Sequence, residues 1–335
     1  MLFRSLLPRL ERVNELCGMN ESASIGFMSA RDEYARLPDM NDKELRKFAA
    51  RIASQLWSRY EELSDSWAHA HGGKETLFTD EAQSHLYGKV AGIARAFNFT
   101  PMYWKKYRKG QMTIRMAFSA ISRLIKDEWW VNQLKAQRMR WREALLIAAG
   151  EVNKDRSPYA SKMAIRDVHA RRLANLEYLK SCELENKVTG ERIDLISKVM
   201  GSISNPEIRR MELMNTIAGI ERYAASVGDV GMFITLTTPS KYHPTRQVGK
   251  GESKTVQLNH GWNESAFTPK DGQRYLCRIC SLMRTAFKDN DLEVYGMRVV
   301  EPHHDGTPHW HMMLFCKPGQ RKAINEIMRR YALKE

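Results

Sequence analysis

Apolar residues recur with a helical period through much of the first 226 residues of this chain. In the segment 41–63 they fall on one face of a 3.6-residue turn, which predicts an amphipathic helix. Asn41, followed three positions later by Glu44, predicts a capping box at the start of that helix. The hydrophobic pattern therefore predicts a helical N-terminal part, residues 1–226.

Proline and glycine positions predict where other helices begin and end. A cap residue before proline indicates a start, and an isolated glycine indicates a stop. The stretch 111–149 contains neither glycine nor proline and is long for one helix, so two helices with a break near KDEWW are expected. The other predicted boundaries are starts at Ser157-Pro158 and Asn205-Pro206, and stops at Gly190 and Gly228.

The period changes after Gly228, where GMFITLTT alternates its side chains as a strand does. A connection rich in glycine, proline and lysine runs to Pro269, and connections of that length are usually functional or disordered. The pattern then predicts a helix over 271–288, strands in LEVYGMRVVE and PHWHMMLF, and a helix from about Gln320. The order β-α-β-β-α is the ferredoxin-like pattern without its last strand. We therefore predict an α+β protein whose second part, residues 227–335, carries an incomplete antiparallel sheet.

Positive charge is in excess, and one segment of the chain supplies most of that excess. The formal net charge is +14, which favours a polyanionic partner such as nucleic acid. The segment 101–142 holds eleven basic and two acidic residues, interleaved with aromatic side chains. Two interpretations stay open for it: nucleic-acid contact with base stacking, or a solvated basic face over a tryptophan-filled core. The predicted DNA-binding residues are Lys105, Lys106, Arg108 and Lys109 in this segment, and Lys241 and Arg246 in the long connection.

The composition argues against a membrane or secreted protein. No run of about 20 apolar residues occurs, and the N-terminus lacks the core of a signal peptide. Five scattered cysteines fit a reducing compartment, so we expect the protein in the cytoplasm. Cys277 and Cys280 form an isolated C-x-x-C on a predicted amphipathic helix, which favours small core residues over a zinc site.

Four histidines cluster in EPHHDGTPHWHMMLF, residues 301–315. On a strand, His309 and His311 point to one face and Trp310 to the other. Pairing of Glu301 with His309 across a hairpin would place a carboxylate beside both imidazoles, whereas a slip by one residue would turn it away. Such a donor set with open positions can hold a metal that acts as a Lewis acid on phosphate. The other two histidines are predicted to be turn residues, His303 and His304.

These segments resemble a known family. PHWHMMLF resembles the histidine-hydrophobic-histidine signature of the HUH endonucleases, and FITLTT resembles their first motif. LTTPSKYHP and EPHHDGTPHWH, with the helical segment containing DEWW, more closely resemble the bacteriophage replication gene A proteins. These are rolling-circle initiators of temperate tailed phages and prophages. The resemblance covers most of the chain and is most specific over 231–315.

The resemblance implies a nicking enzyme of phage DNA replication in the cytoplasm of a bacterial host. In that family a tyrosine attacks one origin strand, becomes joined to the 5′ end and frees a 3′ hydroxyl, while two histidines and a polar ligand hold Mg²⁺ or Mn²⁺. His309 and His311 match the metal-binding histidines, and Glu301 is the third ligand that strand geometry favours. Origin DNA is the expected partner, with a host replication helicase as a second.

The chain departs from the family in its nucleophile. Members carry a Y-x-x-x-Y pair on a helix well past the histidine motif, and no such pair follows His311 here. Tyr331, the one tyrosine after His311, is predicted to pack in the last helix rather than to attack DNA. We therefore expect a C-terminally truncated, catalytically incomplete product. The alternative is a non-catalytic DNA-binding protein; a metallohydrolase with H-x-H-x-D-H is disfavoured, because the aspartate precedes the histidine pair.

Overall fold

The structure, a computed structural model, describes residues 2–19, 28–249, 255–265 and 267–334. Helices precede small antiparallel sheets, which confirms the predicted α+β class. Contacts between residues divide the chain into two compact units, 1–149 and 150–335, and the boundary expected between 226 and 227 stays a prediction. None of the helices in the described part of the chain combines the length and the apolar character that a membrane span requires.

The described part of the first unit is helical. Its helices are α1 Leu2–Cys17, α2 Met28–Ala35, α3 Asp42–His71, α4 Asp80–Ala96, α5 Trp104–Tyr107, α6 Ile114–Leu124 and α7 Asp127–Ala148. The predicted capping box starts α3: Asn41 Oδ1 accepts from the amide of Glu44, and the Glu44 carboxylate accepts from the amide of Asn41. The predicted break near KDEWW is also confirmed, because it separates α6 from α7.

Tryptophan side chains fill the core of this unit. Trp130 and Trp141 are buried, and Trp130 packs edge-on against Phe97 and Phe99. The indole Nε1 of Trp130 donates to the carbonyl of Leu124 at 2.7 Å, so its polar atom is satisfied inside the core. These two tryptophans are therefore unavailable for base stacking.

The second unit begins with elements α8 to α10. Their bounds are α8 Lys162–Lys180, β1 Glu183–Glu185, β2 Arg192–Asp194, α9 Leu195–Met200 and α10 Pro206–Val227. Asn205 caps α10 before Pro206, and Gly228 ends it in the left-handed conformation, so both of those predicted boundaries are confirmed. The β1–β2 hairpin corrects the expectation that residues 1–226 are helical throughout.

Two other predicted helix boundaries are wrong. Ser157 does not cap a helix, because its hydroxyl donates to the carbonyl of Ala160 at 2.5 Å; Ser161 caps α8 instead. Gly190 does not end a helix but lies in the turn between β1 and β2, where its amide donates to the carbonyl of Asn186 at 2.8 Å. Its φ of 71° suits glycine in such a turn.

The remaining elements confirm the predicted order β-α-β-β-α, with an insertion. They are β3 Val230–Thr237, β4 Thr245–Val248, β5 Thr255–Leu258, α11 His260–Ser265, α12 Pro269–Asp289, β6 Tyr295–Pro302, β7 Pro308–Cys316 and α13 Arg321–Ala332. The long connection before α12 is partly regular, because β4 and β5 pair as an antiparallel hairpin and α11 follows them.

β7 is the central strand of a three-stranded sheet, with β3 and β6 antiparallel on its two sides. One face packs against α12 and α13 through buried side chains that include Leu236, Trp310, Leu276 and Ile324. The opposite face, called the histidine face below, is formed by alternate strand residues. Its members are Gly231, Phe233, Thr235 and Thr237 of β3, Tyr295, Met297, Val299 and Glu301 of β6, and His309, His311, Met313 and Phe315 of β7.

Gly296 allows β6 and β7 to approach closely. Its φ is 144°, and a Cβ at this position would collide with the carbonyl oxygen of Met313. We expect Gly296→Ala to lower the free energy of unfolding by at least about 2 kcal/mol, from backbone strain and the clash. Chemical denaturation measures the change. Gly319→Ala, in open space, should cost less than about 0.5 kcal/mol, and equal effects of the two variants would contradict the prediction.

Candidate metal centre

Glu301, His309 and His311 meet on the histidine face. β6 pairs with β7 so that Glu301 lies opposite His309 and Val299 opposite His311, which confirms the register expected from the sequence. Because opposite residues share a face, the carboxylate lies beside both imidazoles. Trp310, between the histidines, points to the buried face.

The ligand atoms of these three residues are close enough to share one ion. His309 Nε2 and His311 Nε2 are 3.0 Å apart, and Glu301 Oε2 lies 3.6 Å from His311 Nε2 and 4.0 Å from His309 Nε2. Two ligands bound at about 2.1 Å each can be at most about 4.2 Å apart. All three separations satisfy that limit. Within the described residues, no other group of three His, Cys, Asp or Glu side chains is arranged to hold a metal ion.

Thr235 orients His311. It lies opposite His311 on β3, and its hydroxyl oxygen is 3.0 Å from His311 Nδ1. With the proton on Nδ1 donated to this hydroxyl, Nε2 keeps a free lone pair directed at His309 and Glu301. A partner on the second ring nitrogen commonly sets the tautomer of a metal-binding histidine. This role of Thr235 was not predicted from the sequence, although the alternating threonines Thr235 and Thr237 were a usable signal.

His303 packs directly on His309, so it is more than a turn residue. The two ring centroids are 4.1 Å apart. Burial, and then the charge of His311, lower the pKa of His309; burial, and then the charge of His309, lower that of His303. A lowered pKa keeps the imidazole neutral near pH 7, which is the form that binds a metal. His304, by contrast, is exposed, and its Nδ1 lies 2.8 Å from the carbonyl of Pro158.

A half-buried histidine–carboxylate pair, His243 and Asp305, lies beside His303. His243 Nδ1 is 2.8 Å from Asp305 Oδ2, and Asp305 Oδ1 accepts from the amide of Thr307 at 2.9 Å. Burial alone would lower the pKa of His243, but its bond to Asp305 outweighs burial and raises it. Burial alone would raise the pKa of Asp305, but the same bond holds it below its usual value. This pair was not predicted from the sequence, in which its members stand 62 positions apart.

The segment that contains these candidate ligands is similar in sequence to known proteins. A family model described as "Bacteriophage replication gene A protein (GPA)" matches residues 43–335, which include the whole histidine face. The chain belongs to this family. Membership confirms the predicted resemblance to the bacteriophage replication gene A proteins.

Individual phage and prophage proteins are similar to this chain over nearly all of its length. The Replication gene A protein of Escherichia phage P2 is 80% identical over 332 residues, 99% of this chain and 44% of that protein. That of Escherichia phage 186 is 35% identical over 99% of this chain and 48% of that protein. A "Probable replication endonuclease from prophage-like region" of Salmonella typhimurium is 30% identical over 100% of this chain and 40% of that protein. The chain thus spans about half the length of these relatives or less. No solved structure matches it significantly.

Tyr331 lies away from the candidate ligands of this gene A family member. It is partly buried against the core cluster formed by the other face of the sheet with α12 and α13. Arg330 and Lys334 place cations over its ring, at 5.1 and 4.8 Å from the centroid. Its position is that of a packing residue, separated from His309 and His311 by the sheet.

The predicted DNA-binding residues fall into two separate groups. In the first unit, Lys105, Lys106, Arg108 and Lys109 are exposed on and after α5. The aromatic residues interleaved with them, Trp104 and Tyr107, are half-buried and pack against Tyr87. In the second unit, Lys241 is half-buried near the Tyr242 ring, and Arg246 is exposed on β4.

The C-x-x-C segment behaves only partly as expected. Leu276, Ile279 and Met283 form the buried stripe of α12. Cys280 is half-buried, but Cys277 is exposed, so the prediction of a core position is wrong for Cys277. The reason is that Cys277 directly follows Leu276, so helical rotation carries it off the buried stripe.

Proposed function

We propose that this chain carries the metal-binding part of a site that nicks one strand of replication-origin DNA. The observation that supports the proposal is the convergence of Glu301 Oε2, His309 Nε2 and His311 Nε2 on one point of the histidine face. The names of two relatives, a replication gene A protein and a probable replication endonuclease, agree with it.

The three ligands would hold Mg²⁺ or Mn²⁺, and two imidazoles in the set favour Mn²⁺ as the probe ion. When bound, such an ion supplies Lewis-acid polarisation of a phosphoryl oxygen. Thr235 keeps His311 in the ligating tautomer, and Glu301 supplies the negative charge. His311 and Glu301 are partly exposed, at 27% and 40% of their side chains, so a phosphate can approach from that side.

The nucleophile implied by the family is a tyrosine. Among the described residues of the histidine face, the one tyrosine is Tyr295, which lies six positions along β6 from Glu301, about 20 Å away for an extended strand. Its hydroxyl donates to Asp229 Oδ2 at 2.8 Å. Tyr331 lies against the opposite side of the sheet. This placement favours a second candidate function, metal-assisted binding of origin DNA without a covalent step performed by these residues.

The test uses Mn²⁺ with the intact chain and a supercoiled plasmid carrying the phage origin. Metal-stripped protein should bind Mn²⁺, and Mn²⁺ should tighten its binding to single-stranded origin DNA; both effects should be lost in His311→Ala. DNA affinity that does not respond to Mn²⁺ would overturn the proposal. An SDS-stable protein–DNA adduct would favour the nicking function, and its absence would favour binding of DNA without cleavage. If an adduct formed and was lost in Tyr331→Phe, the packing role of Tyr331 would be wrong.

The exposed lysines on and after α5 provide a test of backbone contact. We expect alanine at Lys105, Lys106 and Lys109 to weaken single-stranded DNA binding and to reduce the slope of log affinity against log salt by up to about 2, because each lost phosphate contact removes about 0.7. Fluorescence anisotropy across a salt series measures the slope. The control replaces three exposed basic residues of α3, Lys43, Arg46 and Lys47. Equal slopes in both variants would contradict a specific role for the α5 lysines. A contact with a host replication helicase stays a prediction.

A further inference from the structure

We infer that His243, held by Asp305, is a positioning residue for the metal centre. Its ring contacts His303 and fixes the position of that side chain, and His303 in turn fixes the ring of the candidate ligand His309. The inference rests on the proposed function, because it assigns the pair a role toward a ligand of the proposed site. It goes beyond that function by placing an essential residue in the insertion between β3 and α12, outside both strands that carry the ligands.

His243 is fixed at its backbone and at both ring nitrogens. Asn259, which is buried, donates from Nδ2 to the carbonyl of His243 at 3.0 Å and to that of Ser240 at 2.6 Å. The ring Nδ1 donates to Asp305 Oδ2, and the ring Nε2 lies 3.3 Å from the hydroxyl oxygen of Thr238. A histidine fixed at these points can act as a rigid support.

Asp305 joins this support to the turn between β6 and β7. Within the turn, the amide of His303 donates to the carbonyl of Thr307 at 2.7 Å, and the amide of Gly306 donates to the carbonyl of His303 at 2.8 Å. Asp305 adds the bond from the Thr307 amide and the bond to His243. Its side chain is 12% exposed and that of His243 21%, so solvent screens the pair little.

His303 lies between His243 and the metal ligand. Its ring centroid is 5.2 Å from that of His243, at an interplanar angle of 66°, and 4.1 Å from that of His309, at 35°. His303 thus links the insertion, through its contact with His243, to the candidate ligand His309. A displacement of His243 would leave His303 free to move and would open space beside His309.

The two ligand histidines are oriented in different ways. His311 has the Thr235 hydroxyl at its Nδ1. In the described part of the chain, His309 Nδ1 and His303 Nε2 are both buried and have no hydrogen-bond partner. The orientation of the His309 ring therefore depends on packing, to which its contact with His303 contributes at 4.1 Å between centroids. This difference explains why His309 needs an external support and His311 does not.

The first test measures Mn²⁺ affinity of the intact chain from the electron paramagnetic resonance signal of free Mn²⁺. His243→Ala should raise the dissociation constant about 10- to 100-fold, as loss of a partner outside the ligand set commonly does. His243→Gln, whose amide can still donate to Asp305, should stay within about 3-fold of the wild type. His304→Ala is the matched control, because His304 occupies the same turn but contacts Pro158, and it should have no effect. An unchanged constant in His243→Ala, or no recovery in His243→Gln, would overturn the inference.

The second test needs no metal. In EDTA, the ring signal of His309 in histidine-labelled protein, identified by its loss in His309→Ala, should shift or broaden in His243→Ala and stay in place in His304→Ala. A His309 signal that is unchanged in His243→Ala would refute the positioning role. If the wild type binds no Mn²⁺ but the His309 signal still changes in His243→Ala, the proposed metal function is wrong while the positioning of His309 by His243 is supported.

A double-mutant cycle separates positioning from general damage. If His243 and Asp305 act as one unit, the double variant His243→Ala/Asp305→Ala should lose no more Mn²⁺ affinity than the weaker-binding single variant. Additive losses would show two independent effects and would overturn the pair as the acting unit. The thermal midpoint in EDTA is measured for each variant, and a loss of affinity that His243→Gln restores at an unchanged midpoint supports positioning.

Discussion

Replacement of His309 by alanine should weaken Mn²⁺ binding by at least about 100-fold, beyond the range of about 10- to 100-fold expected for residues outside the ligand set. The reason is that the change removes one of two nitrogen donors whose Nε2 atoms lie 3.0 Å apart. His311→Ala should have an effect of the same size. Glu301→Gln keeps one oxygen donor but removes the charge, so a smaller loss of about 10- to 100-fold is expected. The free Mn²⁺ resonance signal measures all three.

The control for these variants is His169→Ala, a histidine exposed on α8, which should bind Mn²⁺ as the wild type does. If His309→Ala and His311→Ala matched this control, the ion would have to bind elsewhere and the proposed centre would be wrong. Loss of binding in His309→Ala alone would point to a ligand set in which His311 has no part.

The largest expected effect on stability is that of Trp310→Ala, about 3–5 kcal/mol in the free energy of unfolding. Trp310 lies on β7, the central strand of the sheet, and is 1% exposed. The guanidinium of Arg298 lies 4.0 Å from its ring centroid, and its Nε1 donates to Gln273 Oε1 at 3.0 Å. Truncation would leave a cavity beneath the strand and remove both polar contacts. Denaturation followed by far-UV circular dichroism measures the loss.

Trp57→Ala is the matched control, because Trp57 is 45% exposed on α3; we expect a change below about 1 kcal/mol. Trp310→Phe should recover part of the stability by refilling the cavity. Since His309 and His311 flank Trp310, movement of β7 should also weaken Mn²⁺ binding in Trp310→Ala. A Trp310→Ala variant as stable as Trp57→Ala would show that the sheet does not depend on this side chain.

Features that depend on near neighbours were predictable from the sequence. The Asn41 capping box, the break between α6 and α7, and the Asn205-Pro206 start all follow from residues within a few positions of one another. The same holds for His309 and His311 on one face of β7, because side-chain alternation is a property of any strand. The pairing of Glu301 with His309 was also predictable, since the short PHHDGT turn allows few registers.

Features for which a short sequence pattern allows more than one outcome were not predictable. Ser157-Pro158 has the pattern of a helix start, yet a local bond to Ala160 competes successfully for the serine hydroxyl. The basic segment 101–142 left two interpretations open, and packing placed Trp130 and Trp141 in the core. Cys277 shows the same limit, because a C-x-x-C motif does not reveal which face of its helix is covered.

The sequence by itself determined the α+β class, the family and the three candidate ligands, because local periodicity and short motifs carry that information. The tertiary structure alone decided how those ligands are held. Thr235 meets His311 only when β3 pairs with β7, and His243 meets Asp305 only when a chain segment 62 residues long folds back on itself. Such contacts depend on the path of the whole chain, and no local pattern of residues encodes them.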